Sequence, residues 1–433
     1  MLAILFALLI VLLALAVPVG VVLLVVSLFP AMMDPSTPAN FAFVIRQMVG
    51  GLESTPLLAV PMFVLSGVVM AKGGVSKKIF DVFAYFLGKV TAGMPCAVVV
   101  TCLFYGAISG SAPATTAAVG TMTIPILVSM GYDLGFAASL VAVAGGLGVI
   151  IPPSIPIIMY CMSSGESVDS MFIAGVLPGL LIGALLMLYA WAYCKIKGEN
   201  KEKIHEQVAE IKAGGFWKLF KSSFWALLSP VIILGGIYSA IVTPTEAAVL
   251  SVVYALIVSL FIYRTLSFKD LIPVFVEGVK TYAPVVFIVS AATAFGRVLA
   301  ILQAPQMVAS WVGGLGLNKV VLILMVNLLL LVVGMIMDTG PAIMILTPIL
   351  LPIVEAVGVN PIHFGIIMVV NLAIGFVTPP VGVNLYVAST LTKIPPMTIA
   401  KRAMPAIAVF FVALLLITFI PDISLALVHL LKG

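Results

Sequence analysis

The sequence predicts an all-α polytopic membrane protein, and three observations carry that prediction. Of its 433 residues, 63% are hydrophobic and only 9% charged, where soluble domains carry about 25% charged residues. The apolar residues form continuous uncharged runs, the longest at 90–132 and 356–392, unlike the short alternating segments of a spanning barrel. Two halves of the chain are also weakly alike: one shift superposes Gly131 on Gly358, Gly148 on Gly375, Pro152-Pro153 on Pro379-Pro380 and Pro178 on Pro405. At about 20 apolar residues per span, there is room for about ten or more crossings.

The net charge of +5 comes from basic residues between the apolar runs, with no interleaved aromatic patch. It points to lipid-facing loops and away from nucleic acid. Cys96, Cys102, Cys161 and Cys194 show no metal-ligand spacing and read as buried thiols. No Gly-rich nucleotide loop of the Walker type is present, so ATP does not power this chain. The first 33 residues carry no charge and lack a basic n-region, so residues 3–29 are expected to form a retained first span.

The run Gly106 to Gly120 is built of Gly, Ala, Ser, Thr and Pro, apart from Ile108 and Val119. Gly110 and Pro113 interrupt a helix there and leave backbone groups without intrahelical partners. With the hydroxyls of Ser109 and Ser111, the freed carbonyls are hard oxygen donors suited to a small cation such as sodium. Further on, Gly148 to Ser154 and Gly375 to Val381 each place a Pro-Pro pair four residues after a glycine. Consecutive prolines open a gap of free carbonyls in a helix, which a bound cation can fill. Ser154 and Thr378 are the side chains expected to point into these two gaps.

Residues 195–221 carry seven lysines and four glutamates between the halves. The positive-inside rule makes this connector cytoplasmic, and Glu202, Glu206 and Glu210, spaced by four, fit a short surface helix. The predicted organisation is repeat 1 over 1–194, the connector over 195–221 and repeat 2 over 222–433, with inverted topology the common form of such repeats.

In the second half, Glu246 is expected to complement a helix N-terminus, and Asn327, Asn371 and Asn384 to bond between helices. Arg297 faces an anion or a headgroup. Asp338 is flanked by long apolar runs, and a carboxylate there is a functional candidate that ligates a cation, carries a proton or orients a substrate. The trigram Asp338-Thr339-Gly340 also occurs in aspartic proteases, but that chemistry needs a second carboxylate, and no equivalent motif supplies one. Internal repeats and broken helices fit a secondary transporter; a passive anion or ion channel built on the same repeats is the alternative.

Gly106 to Gly120, Thr243 to Ala248, Met337-Asp338 with Thr347 to Pro352, and the two Pro-Pro segments together resemble one family. It is the large membrane (M) subunit, DctM-like, of the tripartite ATP-independent periplasmic (TRAP) transporters. The resemblance covers essentially the whole chain. It implies a sodium symporter of the bacterial cytoplasmic (inner) membrane with an elevator mechanism and two re-entrant hairpins, near 106–130 and 334–354. It implies two or more Na+ ions, one held by Ser109, Ser111, Gly148, Ile151 and Pro152, another by Gly334, Asp338, Gly375 and Thr378. Ser111, Ser154 and Asp338 become the substrate contacts. The implied partners are a small membrane subunit (DctQ-like) and a periplasmic substrate-binding protein (DctP-like), and the implied substrate is an organic acid of the C4-dicarboxylate or sialic acid class. The candidate segments hold no Arg or Lys, so co-bound sodium and helix N-termini are expected to balance the substrate's charge.

Overall fold

A computed structural model describes residues 1–34, 36–314 and 318–432, and among them every regular element is helical. Nine helical segments are long and apolar enough to cross a membrane, and seven shorter apolar helices accompany them. Fewer full-length spans form than the apolar runs allow, because Gly and Pro cut several runs in two.

The first run shows this directly. It is two helices, α1 (Leu2–Ala14) and α2 (Val19–Met33), rather than one span over 3–29. Ala16 takes a left-handed conformation and Pro18 cannot donate to the preceding turn, so the helix stops and restarts. After α3 (Phe41–Leu52), capped by Asn40, come α4 (Ala59–Lys72) and α5 (Val75–Leu87). Next are α6 (Gly93–Ser109) and α7 (Ala112–Ser129), joined by a two-residue turn, then α8 (Leu134–Gly145), a 3-10 turn at Gly146–Val149, and α9 (Ile155–Ser164).

The long helix α10 (Val168–Lys197) leads into the connector. There the glutamates at spacing four lie on α11 (Lys201–Ala213), which buries Ile204 and Val208 against α5 and leaves its charges in solvent. The second half holds α12 (Phe216–Tyr238), α13 (Pro244–Ile257), α14 (Phe268–Ile301), α15 (Ala304–Gly314), α16 (Lys319–Ile336) and α17 (Thr339–Ala356). It closes with α18 (Pro361–Gly375), α19 (Val383–Thr392), α20 (Pro396–Phe419) and α21 (Asp422–Lys432). Glu246 closes a capping box with Thr243 at the start of α13, a structural role.

Two packing groups draw on both halves of the chain. In one, α14 lies along α2 and α3, and α13 along α4; in the other, α7 and α8 meet α19 and α20, α9 meets α17, and α16 meets α18. The outer surface is apolar: on α16, Leu322, Val326, Leu330 and Gly334 are buried, while Leu324, Leu328, Val332 and Ile336 are exposed on the opposite face. A helix apolar on every side belongs in lipid.

All three asparagines bond between helices. Asn371 Nδ2 donates to Asn327 Oδ1 (2.7 Å) and O (3.0 Å), Asn327 Nδ2 reaches Thr418 Oγ1 of α20 (3.4 Å), and Asn384 Nδ2 donates to Ala142 O of α8 (2.9 Å). Asn371→Leu strips Asn327 Oδ1 of its buried donor and is expected to cost about 1 kcal/mol. Asn327→Leu/Asn371→Leu should cost less than the sum of the two single changes, measured by thermal melting in detergent.

Candidate functional site

The turn between α6 and α7 is set by local chemistry. Gly110 takes φ 61°, a conformation glycine adopts without strain, and its N–H donates to Gly106 O (2.9 Å), ending α6. Ser111 is extended and caps α7, with Pro113 in the first turn, where its missing N–H costs nothing. Ser109 Oγ lies 2.9 Å from Thr115 Oγ1, which donates to Ser111 O (2.8 Å). Two hydroxyls and a carbonyl thus gather beside one turn of helix.

This oxygen cluster rests on Gly148. A Cβ there would lie 2.3 Å from Thr115 Oγ1 and 2.7 Å from Ser111 O, and one on Gly106 would lie 2.8 Å from Gly148 Cα. Only glycine permits that approach. The chain then runs through Ile151, whose side chain packs over Gly179 of α10, to Pro152-Pro153, joined by a cis bond. Ile155 N–H donates to Gly110 O (3.3 Å) and ties the turn to the start of α9. Ser154 is fully buried: its hydroxyl donates to Val149 O (2.5 Å) and accepts from Ile157 N (3.3 Å), capping α9.

The second half builds a similar junction from different side chains. Asp338 caps α17, its Oδ1 accepting from Thr339 N (2.7 Å). Gly375 ends α18 hard against α16, where an added Cβ would lie 2.2 Å from Gly334 O. Thr378 Oγ1 donates to Ile374 O (2.7 Å), and Pro379-Pro380 is also cis. Val381 N–H donates to Met335 O (3.1 Å), so this break is tied to its turn as the first is tied to Gly110.

Both turns line one cavity of about 770 Å³, which brings Ser109, Ser111 and Asp338 to a shared wall. Ser154 is not on that wall. Facing the turns, α4, α5 and α14 supply Lys72, Lys77, Glu277 and Thr281. The expectation of a site without Lys or Arg is corrected here, because folding brings in cations from outside the candidate segments. Lys72 Nζ pairs with Glu277 Oε2 (2.5 Å) and Lys77 Nζ with Asp81 Oδ2 (2.8 Å). Sequence reasoning also missed Thr115, although its place one helical turn after Ser111 in the small-residue run was a usable signal. Arg297 is exposed on α14, away from the cavity wall. The hairpin containing the first turn spans α6 and α7, so its leading arm begins before residue 106.

An all-helical bundle with broken helices meeting hairpin turns around a cavity is a transporter architecture. The fold is similar to that of the YdaH transporter of Alcanivorax borkumensis, with a TM-score of 0.66 at 13% identity over 94% of this chain and 98% of that one. The family model described as "Tripartite ATP-independent periplasmic transporter, DctM component" matches residues 6–423, and the chain belongs to that family. It is therefore a multi-pass transporter permease of the bacterial inner membrane and not an enzyme.

The isethionate TRAP transporter permease protein DctMQ of Oleidesulfovibrio alaskensis is 43% identical over 95% of the chain, which spans 64% of that relative's length. The C4-dicarboxylate TRAP transporter large permease protein DctM of Pseudomonas aeruginosa is 42% identical, covering 87% of this chain and 86% of its own. The sialic acid TRAP transporter large permease protein SiaM of Vibrio cholerae is 36% identical over 96% of both.

Alanine at either junction glycine places a methyl on backbone oxygen, which cannot step aside. Gly148→Ala and Gly375→Ala are each expected to lower stability by about 1–3 kcal/mol, the range for overpacking. Gly235→Ala, where an added Cβ meets nothing within 4 Å, should leave the melting temperature unchanged or slightly raised.

Proposed function

We propose that this chain is the transport subunit of a sodium-coupled symport system for an organic acid anion. The observation that carries the reading is the pair of junctions at which a broken helix meets a hairpin turn through a glycine contact, both beside one cavity. Hydroxyl and carbonyl oxygens are the donors a hard cation takes, and the glycine contacts let oxygens of two backbones come close together. The first sodium site comprises Ser109, Ser111, Gly148, Ile151 and Pro152, joined by Thr115. The second comprises Gly334, Asp338, Gly375 and Thr378.

The substrate sits between the turns, in contact with Ser111 and Asp338. Ser154 acts on it through the first break, whose Val149 carbonyl it holds. An anion beside the Asp338 carboxylate is repelled unless a cation lies between them, so substrate binding and sodium binding favour each other. That mutual preference is the coupling. The substrate class follows from relatives named for C4-dicarboxylates, sialic acid and isethionate, all of them organic acids. As in the tripartite systems the family is named for, a periplasmic binding protein delivers the acid and a small membrane subunit completes the permease. The cavity lies between the two packing groups, which supports an elevator movement of the hairpin group against α2, α3, α4, α13 and α14.

Uptake of labelled succinate and of sialic acid into proteoliposomes holding this chain and its small subunit tests the reading. Uptake should require both an inward sodium gradient and the binding protein; sodium-independent uptake would contradict it. Asp338→Ala should reach the membrane normally yet lower uptake at limiting substrate and sodium by about tenfold or more, equivalent to ~1.4 kcal/mol.

A further inference from the structure

The wall of the cavity opposite the hairpin turns carries charges that the sodium and substrate sites do not use. Lys72 ends α4, Lys77 lies in the first turn of α5, and Glu277 lies in the third turn of α14. All three line the same cavity. Thr265 Oγ1, in the segment before α14, donates to Gly73 O at the α4–α5 junction (3.1 Å), and α5 packs on α11 of the connector. Lys212 of that connector helix sits over the Tyr85 ring in the last turn of α5, 4.9 Å from its centroid. Lys72 and Lys77, 39% and 60% exposed, therefore stand at the solvent-facing rim of the cavity beside the α4–α5 junction.

The Lys72–Glu277 pair is an ineffective strut. Its side chains are 39% and 54% exposed, and ion pairs that open to water hold a fold only weakly. Apolar side chains would join α4 to α14 at least as well. Lys77 pairs within its own helix with Asp81, four residues on, and so joins no two elements at all. Lys72 can give up its partner to an anion at little cost, and Lys77, itself 60% exposed, has donors to spare for an anion while it stays beside Asp81. Glu277 keeps Lys72 extended over the cavity and balances its charge while no anion is present.

Resting on the organic-acid reading above, we propose that Lys72 and Lys77 form a second carboxylate subsite at this rim of the cavity. An acid leaving the hairpin turns exchanges the sodium-supported site for these two ammonium groups before it reaches water. Glu277 competes with it for Lys72 and keeps the subsite weak enough to release. The ligand is any organic acid the cavity admits, recognised by charge, so this subsite sets selection for anions while the turns set selection for shape.

The test is equilibrium binding of labelled succinate and of sialic acid to the purified membrane complex in lipid nanodiscs with sodium present. Lys72→Gln and Lys77→Gln should each weaken binding about three- to fivefold, the size of a screened charge pair, and the double variant about tenfold. Glu277→Gln, which frees Lys72, should tighten it. The exchanged pair Lys72→Glu/Glu277→Lys should keep the wild-type melting temperature without regaining wild-type affinity. Affinity should fall as choline chloride is raised, and less steeply in the double variant. Binding by the double variant within about twofold of wild type overturns the subsite, as does full recovery of affinity in the exchanged pair. A wild-type complex that binds neither acid in sodium overturns the organic-acid reading itself, and the subsite with it.

Discussion

Two contacts between glycines set what the rest of this structure can do. Where Gly106 meets Gly148, and where Gly334 meets Gly375, hairpin arm and broken helix approach so closely that no side chain fits between them. In lipid a free carbonyl is costly, so helices there normally satisfy every backbone group internally. Here the chain breaks its helices at Pro-Pro pairs and brings a second backbone against each break. The breaks are held by single bonds from Ile155 N–H to Gly110 O and from Val381 N–H to Met335 O. What remains is a concentration of oxygen atoms at two places beside one cavity.

That arrangement explains why so few charged groups are needed to handle a charged cargo. Ser109, Thr115 and the Ser111 carbonyl are neutral donors, and Asp338 is the carboxylate that the hairpin turns contribute to the cavity wall. An anion enters such a site favourably only in company with cations, so the proposed selectivity and coupling share one electrostatic origin. On the opposite wall, Lys72 and Glu277 belong to α4 and α14 of the other packing group, and Lys77 to α5, which packs against α6.

Much of this was legible in the sequence because helix breaks are local. Proline lacks a donor and glycine permits left-handed turns, so Gly110, Pro113 and the two Pro-Pro pairs marked the junctions without any knowledge of packing. The asparagine contacts and the surface helix of the connector were legible for the same reason, since buried amides seek partners and charges at spacing four suit a solvated face. What a side chain faces across a cavity was not legible. Lys72 and Glu277 are 205 positions apart in a chain whose packing groups mix both halves, so nothing near either residue announces the other. Ser154 likewise sits at the break as expected, yet its hydroxyl is committed to Val149 and Ile157 in the protein interior. The division of the first apolar run at Ala16 to Pro18 was overlooked because hydropathy alone does not register a backbone turn.

The central claim is that the two junctions bind sodium, and ligand-induced stabilisation tests it most directly. Anything that binds the folded state and not the unfolded one raises the melting temperature as its concentration rises. The purified chain with its small subunit, free of substrate, should melt at progressively higher temperature as sodium chloride replaces choline chloride at constant ionic strength. Potassium chloride should have no such effect. Identical melting temperatures in sodium, potassium and choline would contradict the account.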